Sequence, residues 1–304
     1  MPLPKITTAQ YELKLPSTGK TVKYRPFLVR EEKVLILSLE TGDQKQISNA
    51  VKQVLKECVL TKGVKIDTLP SFDIEYLFLN IRAKSVGETI ELVVTCGDDG
   101  VTEVPVSINI DEIEVVKSED HSVDVELADG YTVKMRYPSL NQFIETNFNK
   151  KEDDAVEKSF EIVASSIDMV YNDEEMFSAS ECTKKELKEW VESLTSEHFQ
   201  KIEKFFETMP KLQHTIKVIN PNTKKENTIV LEGLSDFFRL SMSHVDLETY
   251  FRINFALMQY HKYSLTELEN MPPWERDVYV GLLKLHIEEE QLKQRAREAQ
   301  AKNG

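Results

Sequence analysis
Two short stretches of the chain carry residue types that could do chemistry. Residues 17–22 read STGKTV, like the second half of a phosphate-binding loop, in which backbone amides converge on phosphates and a lysine follows the second glycine. Such a loop also needs an earlier glycine where the chain curls, and counting back from Gly19 that position holds Lys14. It must then run into a helix. Here the next residues, VKYRPFL, alternate as a strand does and meet Pro26, which removes a backbone donor and biases Arg25 away from helical angles. A tight turn between two strands is expected, and nucleotide binding is a disfavoured rival.

Residues 96–100 read CGDDG and set two carboxylates beside a thiol. A calcium loop needs alternating oxygen ligands over about a dozen residues, and a thiol nucleophile needs a base. Neither is identifiable around Cys96. The expectation is a hairpin tip with Gly97 and Gly100 at positive φ and Asp98 and Asp99 solvated. Cys58, Cys96 and Cys182 are odd in number, distant, and without a Cys-x-x-Cys spacing, which argues against a disulfide framework or a zinc site. His121, His198, His214, His244, His261 and His286 are scattered without a metal-binding pair. The acidic runs Asp173, Glu174, Glu175 and Glu288, Glu289, Glu290 read as solvated faces. No catalytic residue, metal ligand or cofactor is expected.

Bulk composition narrows the classes further. With 304 residues, 40% hydrophobic and 30% charged, the chain is long enough for one large or two ordinary domains. Its net charge of -14 is uneven: residues 1–117 carry 15 basic and 17 acidic side chains, 118–240 carry 15 and 25, and 241–304 carry 8 and 10. That balance, with no cluster of Lys or Arg interleaved with aromatics, disfavours nucleic acid and anionic membranes as partners. There is no apolar run long enough to span a bilayer and no signal-peptide core, so a cytoplasmic folding compartment is expected.

At the level of elements, the chain contains a repeat. GKTVKYRPFL from Gly19 aligns with GYTVKMRYPSL from Gly130, at an offset of 111 residues, and each is preceded by an alternating strand, YELKL or VDVEL. Alternation around a short glycine-containing connection predicts two hairpins, with Tyr131 standing where the supposed phosphate lysine stood. Helical spacing follows in both: Ile47, Val51, Val54, Leu55 and Cys58 in the first, then Val156, Phe160, Val163 and Ile167 after a further segment, SLNQFIETNF, in the second. SFDIEYLFLNIRAKS then faces SEHFQKIEKFFETMPK, each opening on a serine suited to capping. Finally TIELVVTCGDDGVTEVPVSI faces TIKVINPNTKKENTIVL, both strand, polar tip, strand.

The expected fold is α+β, with two diverged hairpin-helix-hairpin modules at 1–117 and 118–240, the second acidic, and a helical C-terminal region at 241–304. In IEYLFLNI the apolar arc is too wide for a helix with one wet face. In the C-terminal region Leu247, Tyr250, Phe251, Phe255 and Met258 share a helical face, Ser264 and Glu267 offer a capping box, and Trp274, Val278, Leu282 and Leu285 form a stripe expected to be buried on the first of these helices. These four are also the candidate partner-binding residues, because the charged tail beyond Leu292 has little to bury and is expected to fray or await a partner.

LPSTGKTVKYRPFLVREEKVLILSLE, FDIEYLFLNIRAKSVGETIELVV and NMPPWERDVYVGLL resemble the baseplate hub assembly proteins of T4-type contractile-tailed bacteriophages, best over about residues 10–115. The resemblance implies a non-enzymatic hub subunit or chaperone-like assembly factor, with other baseplate hub proteins as partners. It places the chain in the host cytoplasm during assembly, or in the virion baseplate. A hub-associated hydrolase, such as a tail lysozyme or peptidase component, is the rival within this class; a retaining glycosidase would need two carboxylates about 5 Å apart in a cleft.

Overall fold
A computed structural model describes residues 9–127, 130–140, 142 and 155–302. Helices and small antiparallel sheets make an α+β fold. Strands β1 (Tyr11–Lys14) and β2 (Thr21–Tyr24) form the first hairpin. Its turn closes by Gly19 N donating to Leu15 O at 2.8 Å, with Gly19 at φ 67°, a conformation that side-chain-bearing residues rarely adopt. Helices α1 (Val29–Glu40) and α2 (Gln44–Cys58) follow, and the α2 stripe Ile47, Val51, Val54, Leu55 and Cys58 is buried throughout.

Helix α3 (Ser71–Ser85) buries Ile74, Leu77, Phe78, Leu79 and Ile81, which is why its sequence is apolar all round. Its N-cap is Pro70 rather than the expected Ser71. The hairpin β3 (Thr89–Thr95) and β4 (Glu103–Asn109) leads to the short strand β5 (Glu114–Val116). The second hairpin is β6 (Asp124–Glu126) and β7 (Thr132–Met135); most of SLNQFIETNF lies outside the described residues.

Helix α4 (Ala155–Ser165) is followed by β8 (Ile167–Tyr171) and β9 (Met176–Ser178), giving a four-stranded sheet in the order β6-β7-β8-β9. Ile167 therefore does not continue the helical stripe of Phe160 and Val163: Ser166 N closes the helix on Ile162 O and Val163 O, both at 3.0 Å, and Ile167 pairs with Met135. Helix α5 (Lys184–Glu192) precedes α6 (Ser196–Thr208), capped by Thr195, one residue earlier than expected; its hydroxyl accepts from His198 N at 3.3 Å. The hairpin β10 (Lys211–Ile219) and β11 (Glu226–Glu232) then leads into α7 (Gly233–Ser241), α8 (Leu247–His261), the short α9 (Leu265–Glu269) and α10 (Pro273–Lys302). The Ser264–Glu267 capping box is formed.

The two glycine-containing hairpins share more than their residues. Val22 lies opposite Leu13 and Val133 opposite Val125, and both of these valines are fully buried. On leaving the hairpin, Arg25 N donates to Cys58 O at the end of α2 (3.0 Å), and Arg136 N donates to Ser166 O just beyond α4 (2.7 Å). In both places the chain emerging from the helix pairs antiparallel with the second hairpin strand, Val59 with Tyr24 and Ile167 with Met135.

Three apolar cores hold these elements together. The first gathers α1, α2, the β1–β2 hairpin and one side of α3 with Phe238 of α7 and Tyr250 of α8. The second packs Leu79 and Ala83 of α3 and Phe237 and Leu240 of α7 against both long hairpins, β3–β4 and β10–β11. Thus α3 and α7 form a spine shared by two cores. A buried arginine secures it: Arg82 Nε donates to Ser241 O at 3.0 Å and Nη1 to Gly87 O at 2.6 Å, while burial pushes its pKa down to about 10. The third core closes the four-stranded sheet with α4, α5 and α6. The paired strands of the two sequence modules do not merge into one sheet, but β5 pairs with β10 across residue 117.

Candidate functional site
The motifs with chemical potential become structural parts. In the STGK turn, Ser17 N donates to Asp73 Oδ1 at 3.0 Å and its hydroxyl donates to the same carboxylate, tying the turn to α3. Gly19 leads into strand β2, so the residues after it run as a strand, away from the strand-to-helix geometry of a phosphate loop. Cys58 and Cys96 are buried, and burial raises both thiols, away from a reactive thiolate. His121 bridges Thr208 Oγ1 and Tyr137 OH, each at 3.0 Å, and its ring stacks on Tyr137 and lies tilted against Phe205. Among the described residues, no group of three or more His, Cys, Asp or Glu is arranged to hold a metal ion.

The CGDDG tip departs from expectation. Gly100 takes φ 69° but Gly97 does not take a positive φ, and the aspartates are not simply solvated. Asp98 accepts from Asn220 Nδ2 at 2.9 Å, Asn227 Nδ2 at 3.0 Å and the Thr223 hydroxyl; Asp99 accepts from Asn220 Nδ2 at 2.9 Å and the Thr102 hydroxyl. The donors from Thr223 and then Asn220 hold Asp98 below the usual carboxylate range, and those from Thr102 do so first for Asp99. The partner is the tip of β10–β11, folded in the same way: Gly100 N donates to Cys96 O and Lys224 N to Asn220 O, both at 2.9 Å. An aspartate pair facing Asn-rich residues more than a hundred positions away leaves no local sequence signal.

The candidate partner-binding residues lie on α10, which meets the body at its first turn. Arg276, buried at 1% exposure, donates from Nη1 to Glu32 Oε2 at 2.9 Å and lies 5.5 Å from the Tyr250 ring. Glu32 is buried at 0% exposure and also meets His244 Nε2 at 3.0 Å. This buried cluster was not legible in the sequence, where Glu32 sits in the charged REEK opening of α1 and Arg276 in an ordinary WERD turn.

The expected burial of the stripe is overturned. Trp274, Val278, Leu282 and Leu285 are all outward, at 46%, 52%, 58% and 59% exposure. The face turned towards α8 instead carries Val280, Leu283 and Ile287, which with Ile253 and Ala256 line a groove of about 720 Å³. The physical reason is that α10 has two apolar faces, of which one borders the groove beside α8 and the other is turned to solvent. On α8, Tyr250 and Leu257 are buried while Phe251, Phe255 and Met258 are exposed, so the face read from the sequence divides between the body and solvent. The tail expected to fray is helical to Lys302, through strong helix formers and contacts such as Lys293 Nζ to Glu290 at 2.9 Å. Among the described residues, no helix is long and apolar enough to cross a membrane.

A family model described as T4 bacteriophage base plate protein matches residues 8–239, which takes in the third core and most of the first two and ends within α7. No curated protein and no solved structure matches the chain.

Proposed function
The chain belongs to the T4 bacteriophage base plate protein family, and we propose that it serves there, without catalysis, as a subunit of the baseplate hub or as a factor that assembles it. It works by contact with other hub proteins, in the host cytoplasm during assembly and, as a subunit, in the virion. The observation that carries this reading is the apolar surface beyond the family-matched segment. Phe251 and Phe255 on α8 and Trp274, Val278, Leu282 and Leu285 on α10 present aromatic and aliphatic side chains outward, the composition that supplies contact energy between protein chains.

The two roles part in the particle. Mass spectrometry of purified particles is expected to find a hub subunit at hub stoichiometry; an assembly factor is absent from particles, and phage lacking its gene accumulate no hubs. Assembled hubs in normal yield without this chain would overturn both.

A further inference from the structure
The open face of α10 has the spacing of a coiled-coil seam. Val278, Leu282, Leu285 and Leu292 fall at successive core positions, with Glu289 filling the one between Leu285 and Leu292, in the alternation of three and four residues that keeps a stripe facing a partner helix. At 3.6 residues per turn, these positions lie opposite Val280, Leu283 and Ile287, the face turned towards α8. Trp274 lies on the open side, one turn before Val278. Leu292 is 64% exposed, so the uncovered seam runs on beyond the stripe noted from the sequence.

Charge decides what can cover it. Glu289 occupies a core position, flanked by Glu288 and Glu290, in a chain of net charge -14. A second copy packed in parallel register would bring Glu289 against its own counterpart. An antiparallel pair that keeps Leu282 opposite Leu292 would set Leu285 against Glu289 and bring the two Glu288 side chains together. Either arrangement buries a like charge or an unpaired one, which costs more than the leucines return. Lys293, one turn on from Glu289, already pairs with Glu290 on the same helix.

We propose that the α10 seam receives an amphipathic helix of another protein, apolar at its core positions except for a lysine or arginine facing Glu289. The inference rests on the reading of this chain as one that works by protein contact, and it names the chemistry of the partner. The basic residue neutralises Glu289 where a copy of this chain cannot, so the same glutamate that admits the partner rejects self-pairing.

The test uses the full chain and two synthetic helices of roughly four heptads, with leucine at the core positions except for one central lysine or one central glutamate. By fluorescence anisotropy, the lysine peptide is expected to bind at least about tenfold more tightly than the glutamate peptide. Leu285→Glu, a change at an exposed site, is expected to abolish binding, and Glu289→Leu to make the protein self-associate in sedimentation. Equal affinity for the two peptides, or no binding of either, would overturn the proposal. So would a wild-type dimer that Leu285→Glu dissolves, since the occupant would then be a second copy. These measurements need only purified protein, so their failure leaves the particle experiment to judge the hub reading separately.

Discussion
At the scale of single residues, His121 is a polar side chain built into the packing, with a consequence for pH. Burial, and next Lys117, hold its pKa below the ordinary value for histidine, so the folded state prefers the neutral ring that bridges Thr208 and Tyr137. The unfolded chain therefore takes up the proton first as pH falls. The contribution is fully present above about 6.5 and is lost as pH drops from there through the lower folded value. Melting temperature is expected to fall over that window in the wild type and to fall less in His121→Gln. Parallel pH profiles would show that other groups carry the dependence. None of this was legible beforehand, because the sequence shows His121 among SEDHS with no sign of the rings it packs against. The STGK turn was legible in the opposite sense: Lys14 and Pro26 already spoke against a phosphate loop, and only its anchor, Asp73, needed the fold to be found.

Elements were read best where one local rule sufficed. Both glycine hairpins, the α2 stripe and the buried α3 follow from alternation, helical spacing and an apolar circumference, all properties of a short window. What failed needed a distant partner: the β5–β10 pairing, the start of β8 at Ile167 and the contact between the two long hairpins. The matched hairpins, the matched returns from α2 and α4 and the two tips with one turn geometry support the proposal that residues 1–117 and 118–240 are diverged copies of one module. The tips also locate a stability test. Asn220, at 0% exposure, accepts from Asn222 N at 2.8 Å and Thr223 N at 3.2 Å while donating to both aspartates of the facing tip. Asn220→Ala is expected to cost about 1–3 kcal/mol in chemical denaturation, by stranding these groups. A loss no larger than that of an exposed-site substitution would mean that the tips touch without holding.

For the molecule as a whole, the question is where the folded body ends. The family-matched segment stops before α8, yet Tyr250 completes the first core and Arg276, on the first turn of α10, neutralises Glu32 at its edge. Beyond Ile287 the side chains through Glu298 are exposed, so that part of α10 adds helix without adding core. The sequence could not draw this boundary. One apolar stripe was read on α10 and the other was passed over, and which of them turned towards α8 depended on Arg276, whose partner is a carboxylate more than two hundred residues away. Two variants separate the roles. A chain ending at Ile287 keeps the groove face and Arg276, and is expected to retain its stability to within about 0.5 kcal/mol, as for changes to exposed surface. Arg276→Ala in the full-length chain leaves Glu32 buried without its guanidinium, and is expected to cost about 3–5 kcal/mol, the penalty for breaking a buried pair from one side. Glu32→Gln combined with Arg276→Met should recover much of that loss, because it removes both charges while keeping their volume. Thermal and urea melts of the three proteins decide the matter: a truncated chain that melts far below the wild type would place the end of α10 within the folded body, and an Arg276→Ala variant as stable as the wild type would show that α10 is not anchored through Glu32.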